Sequence, residues 1–172
     1  MKQIKKSNVF LVIVLIVLIF VLIVINNKED EQILDVQINK VMLLNNYNEF
    51  FTVNSSVFKY ISYLQKKDYN NVLKILDVDY KNNNNINSNN ILNYVENLEG
   101  NYSFSSKKIY YEIIDENFTK YYVFGYLSMD TIDGISEKLD RYYIVKFNTK
   151  EKIFSIIPSN EFDFMEVTNE KN

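Results

Sequence analysis

The chain has 172 residues, a formal net charge of −3, and neither histidine nor cysteine. Those two absences remove the commonest zinc ligands, the Ser–His triad, the cysteine nucleophile and any disulfide. Beyond residue 25 lie all 22 acidic residues and 16 of the 19 basic ones, a net charge of −6, the opposite of the basic footprint expected of a nucleic-acid binder.

Residues 1–8 form a short basic tail with Lys2, Lys5 and Lys6. Val9–Ile25 then reads VFLVIVLIVLIFVLIVI, seventeen residues without a polar side chain, Gly or Pro. A helix of that length spans roughly 25 Å, and flanking Ser, Asn and Lys residues extend it to the bilayer interfaces. A soluble helix would carry a polar stripe, and this run has none. It is also longer than the apolar core of a secretory signal, and Asn26-Asn27-Lys28-Glu29-Asp30 offers no small-residue cleavage site. The run therefore reads as an uncleaved signal anchor in contact with membrane lipid. Three Lys precede it and Glu29, Asp30 and Glu31 follow it closely. This asymmetry predicts a single-pass protein of the cell membrane, with a cytoplasmic N-terminus and an outer C-terminal domain. With no ionisable residue and no small-xxx-small face, the span is a tether and not a pore or relay. Abundant Asn, Ile and Lys, residues with AT-rich codons, point to an AT-rich bacterial genome rather than to chemistry.

Residues 26–35 read as an acidic linker, residues 36–158 as one domain, and residues 159–172 as an acidic, frayed tail. Val36–Leu44 alternates weakly and predicts an edge strand. Asn45–Phe51 reads as an extended connection. Asn54 or Ser55 can cap a helix over Ser55–Lys66, with Val57, Phe58, Ile61, Tyr63 and Leu64 at helical spacing. Asp68 can cap a second helix, Tyr69–Leu76, which ends at Asp77–Tyr80. After the Asn-rich loop Lys81–Asn90, a third short helix is predicted over Asn90–Leu98, with Gly100 beyond its end.

From Tyr102 the period changes. Tyr102–Ile114 is rich in aromatic and β-branched residues and reads as a strand bent near Ser105-Ser106. Phe118–Met129, Leu139–Phe147 and Lys152–Pro158 follow as further strands. The turns Asp115–Asn117 and Asn148–Glu151 are short enough to force antiparallel neighbours. In the tail, Phe162 and Phe164 can dock on the sheet. The layout is α+β: a transmembrane helix, then about three helices packed on a curved antiparallel sheet of four or more strands.

This order, helices over Ser55–Leu98 and strands from Tyr102 to Pro158, resembles the nuclear-transport-factor-2-like superfamily. The resemblance covers roughly residues 36–158 and implies a cone in which the sheet wraps the helices. Anchored outside a membrane by one span, such a domain is similar in layout to the scaffold subunit of type IV secretion and conjugation machines. That layout implies an assembly role with an unknown protein partner or a second copy of the chain, and no catalysis.

Three constellations carry candidate chemistry. Asp130, Asp133, Gly134, Glu137 and Asp140 crowd carboxylates into one turn, but their spacing departs from a calcium loop and reads as a solvated acidic turn. The tyrosines Tyr110, Tyr111, Tyr121, Tyr122, Tyr126, Tyr142 and Tyr143 could line a cone pocket. Glu112, in phase with Tyr110, is the candidate pocket carboxylate of an isomerase-like or ligand-binding alternative. The third reading is contact: Tyr122, Phe124, Tyr126 and Tyr143 form a candidate docking surface, since Tyr offers apolar area with a polar tip. The sequence names no catalytic residue, no metal ligand and no cofactor site.

Overall fold

Local caps start each helix. In the computed structural model, which describes residues 40–130 and 136–168, Asn46 accepts a hydrogen bond from the backbone N–H of Glu49 at 3.1 Å and starts α1, Tyr47–Gln65. Asp68 accepts from Asn71 N–H and starts α2, Tyr69–Ile75. Asp77 accepts from Asp79 and Tyr80 N–H and starts α3, Val78–Asn83. A single 3-10 turn, Ile91–Asn93, follows the Asn-rich loop. Asn160 accepts from Asp163 N–H and starts α4, Glu161–Thr168. Each cap satisfies an N–H that the helix itself cannot pair.

Several expectations are corrected. α1 begins eight residues before Ser55, capped by Asn46, because Val53 already packs the helix onto the sheet ahead of that position. Asn45–Phe51 is therefore largely helical. Asp77–Tyr80 does not merely end α2; it starts another helix. The third helix shrinks to one 3-10 turn, since Asn90 makes no side-chain cap there. The acidic tail is ordered as α4 as far as Thr168. The run Val9–Ile25 and its linker lie outside the described residues, and among the described residues no helix is long and apolar enough to cross a membrane.

The strands are β1 (Met42–Leu43), β2 (Tyr102–Ile113), β3 (Phe118–Asp130), β4 (Ser136–Asn148) and β5 (Ile153–Ser159). They form one antiparallel sheet in the order β1-β2-β3-β4-β5. The fold is α+β, with a meander of four long strands as its short turns require. The register of β2 against β3 shifts between Ser106 and Lys108, where the sequence predicts a bend. Gly125 sits beside that irregularity. A Cβ there would lie 2.5 Å from the carbonyl oxygen of Ser105 and 2.6 Å from the ring of Phe104, so no larger residue fits without displacing backbone.

The inner face of the sheet buries Phe104, Ile109, Tyr121, Val123, Leu127, Tyr143, Val145 and Ile156. Against it packs the apolar stripe of α1: Val53, Val57, Tyr60, Ile61 and Leu64. The stripe recurs every three to four residues, as helical burial requires. α1 also protects the open flank of β2. Asn54 Oδ1 accepts from Ser106 N–H, and Gln65 Nε2 donates to Tyr102 O, so backbone groups that β1 is too short to pair are satisfied. At the opposite flank, Leu76 bridges Ile156 in parallel and Asp77 N–H donates to Ile156 O, covering part of the edge of β5.

Candidate functional site

The outer face of the sheet divides into an aromatic half and a charged half. Strand alternation sets both. On β3, Tyr121, Val123 and Leu127 point inward, so Tyr122, Phe124 and Tyr126 point outward. Their neighbours across the ladders, Tyr110 on β2 and Tyr142 on β4, share that face. Phe124 stacks on Tyr142 with centroids 5.0 Å apart. Phe164 of α4 lies over the group, 6.0 Å from Tyr110, 6.0 Å from Phe124 and 5.4 Å from Tyr142. Burying one Phe side chain holds α4 to the sheet, and Phe162, two residues earlier, stays 75% exposed. Of the two Phe residues expected to dock, only Phe164 does.

The expected docking surface is thus split. Tyr122, Phe124 and Tyr126 share a face, but Tyr143 does not: its ladder partner is Val123, and it lies in the core, edge-on to Tyr60 at 5.9 Å and to Phe104 at 5.6 Å. Its buried hydroxyl has no hydrogen-bond partner among the described residues. Burial first, then the negative charge of Glu96, pushes both Tyr60 and Tyr143 well above the ordinary phenol range, so both stay neutral.

Glu112 is outward too. It accepts a 2.7 Å hydrogen bond from the hydroxyl of Tyr122. Burial and that bond together keep the phenol protonated. On the inner side, Tyr121 makes the equivalent bond to Glu49 of α1 at 2.6 Å. Each carboxylate anchors one tyrosine. The tyrosines do not converge on Glu112: Tyr121 and Tyr143 are on the far side of the sheet.

The charged half is built around Asp77. One row crosses four strands in register: Glu112 on β2, Lys120 on β3, Lys146 on β4 and Ser155 on β5. The turn between α2 and α3 lays Asp77 against the end of this row. Its carboxylate is 4% exposed as a residue and accepts from Lys146 Nζ at 3.0 Å, Ser155 Oγ at 3.1 Å, Asp79 N–H at 3.1 Å and Tyr80 N–H at 3.2 Å. Burial alone would raise its pKa. The bonds from Lys146, Tyr80 N–H and Ser155 outweigh that and hold it below the usual carboxylate range. Lys146 also reaches Asp79 at 3.2 Å. Desolvation opposes its charge, but the two aspartates prevail and raise its pKa. A further ion pair, Arg141 with Glu96 at 2.8 Å, is separate from this row.

Above the row opens a basin of about 710 Å³, within the range of small-molecule sites. Lys120, Lys146 and Asp77 line it together with Lys74, Lys81 and Glu151; Val78, Ile114, Phe118 and Ile153 supply apolar wall. Smaller hollows lie elsewhere among the described residues. One of about 560 Å³ runs between α1 and the start of β5, and one of about 410 Å³ lies beside Glu49. Glu112 lines none of the three. Asp77 is a poor general base, because four donors occupy its acceptor sites and its proton affinity is low.

Sequence reasoning reads Asp77 as a helix terminator and passes over Lys120 and Lys146. The two lysines meet only through the register of β3 against β4. Among the described residues no group of three or more acidic side chains is placed to hold a metal. Of the acidic turn, Asp133 and Gly134 lie outside the described residues, and Asp140 is an exposed residue on β4. Compared with known proteins, the chain matches no family model, no curated protein and no solved structure.

Proposed function

We propose that the chain is a single-pass, membrane-anchored extracytoplasmic interaction or scaffold module, non-catalytic, whose domain is of the nuclear-transport-factor-2-like kind. The tether reading rests on the apolar run Val9–Ile25 and the charges that flank it. The domain reading rests on helices that precede a meander of long strands. The observation that carries the interaction role is a line of exposed aromatics on α1: Tyr47 is 79% exposed, Phe51 62% and Phe58 47%. These positions fall within about 40° of one another around a helix. Large aromatics left in water along one face are the usual anchors of a protein interface.

The alternative, an isomerase-like or ligand-binding cone pocket lined by Tyr, has less support. Its carboxylate, Glu112, faces away from the helices, and the inner face is occupied by α1 side chains.

A photo-crosslinking amino acid placed at Phe51 or Phe58 in cells tests the interaction role. Discrete adducts, either with another protein or with a second copy, are expected from these positions and not from Lys66, the C-cap of the same helix. Recovery of monomer alone from both aromatic positions would refute it.

A further inference from the structure

The basin over Asp77 is floored by a cation, Lys120, whose ladder neighbours are Glu112 on β2 and Lys146 on β4. Lys120 and Lys146 stand directly opposite each other on β3 and β4, a like-charge pairing that costs stability on its own. Asp77 and Asp79 offset Lys146. Lys120 forms no ion pair among the described residues; its ammonium rests 5.9 Å from the ring centroid of Tyr122. Lys74 and Lys81 add two further cations, so four lysines line the basin against Asp77, Asp79 and Glu151, a net charge of +1. The domain beyond residue 25 carries −6, so a locally cationic floor runs against the general charge. Around the rim, Val78, Phe118 and Ile153 are exposed large apolar side chains.

We infer that this basin binds a small organic anion: a phosphate- or carboxylate-bearing molecule whose charged group sits over Lys120 and whose apolar body lies against Phe118, Val78 and Ile153. An anion there would complete the charge alternation across the sheet, with Lys120 between Glu112 and the ligand. The apolar rim would supply the affinity that a bare inorganic anion cannot gain. A site of this kind is independent of the membrane anchor and of the aromatic line on α1.

Phenyl phosphate is a suitable probe, titrated calorimetrically into the full chain in neutral detergent. Saturable binding is expected, with phenol and inorganic phosphate each weaker by about tenfold or more, because each lacks one half of the recognition. Lys120→Gln should weaken phenyl phosphate by about tenfold, the scale of one lost charge-assisted contact. Its melting temperature should stay close to the parent's, since the relieved Lys120–Lys146 repulsion offsets the lost Glu112 and Tyr122 contacts. Ile153→Ser should weaken phenyl phosphate while leaving inorganic phosphate unchanged, and Lys66→Gln should change neither. Absence of saturable binding, phenol binding as well as phenyl phosphate, or unaltered affinity in a folded Lys120→Gln chain would overturn the inference.

Discussion

Asp77 joins three jobs in one carboxylate. It caps α3, it pairs Lys146, and it accepts from Ser155 on the edge strand. Replacing it with Ala strips the cap and leaves a half-buried ammonium without its closest partner. The expected loss is about 2–4 kcal/mol, read from urea unfolding of the full chain. The pH dependence has a definite sign. The folded pKa lies below the unfolded value of about 3.9, so the stabilisation is complete above pH ~4 and is lost as pH falls through the folded value. The stability gap between the parent chain and Asp77→Asn should therefore close in acid. A gap constant from pH 7 to pH 3 would show that the charge of Asp77 contributes nothing. Gly125 illustrates the opposite kind of residue constraint, where the absence of a side chain lets the Phe104 ring and the β2 backbone approach.

At the scale of elements, the fate of the C-terminal helix depends on one ring. α4 has eight residues and is too short to persist alone in water. Phe164 is its buried residue. Phe164→Ala should release Glu161–Thr168 from the sheet, giving fast amide exchange there while β3 and β4 stay protected, at a cost of about 3 kcal/mol or less. Uniformly faster exchange across the sheet would mean instead that α4 is integral to the core. The long strands are legible in sequence because aromatic and β-branched runs are bounded by short turns; Phe118, Pro158 and the Ser105–Ser106 bend are all placed to within a residue or two. α2 is legible because Asp68 caps it. α1 is misjudged at its start because Asn46 and Asn54 are equally good caps locally, and the choice is made by Val53, which packs the helix onto the sheet from its second turn. Tyr143 is assigned to the wrong face because its phase follows from pairing with Val123, and a short Tyr-Tyr repeat does not declare which tyrosine turns inward. The Asp77–Lys146 pair joins residues 69 positions apart; no local pattern announces such a contact.

At the scale of the whole molecule, the described residues form a sheet-and-helix unit with a filled interior. The inner face is closed by α1, the aromatic half of the outer face is covered by α4, and the line Tyr47, Phe51 and Phe58 and the lysine basin stay open. Where those surfaces act depends on the segment before residue 40. Protease digestion of intact cells, followed by mass spectrometry of the membrane fraction, tests that directly. The account predicts cleavage within residues 26–35, loss of the domain from the cell surface, and retention in the membrane of a short fragment containing Val9–Ile25. Full-length chain surviving in intact cells yet digested after lysis, or chain recovered without the membrane, would contradict it.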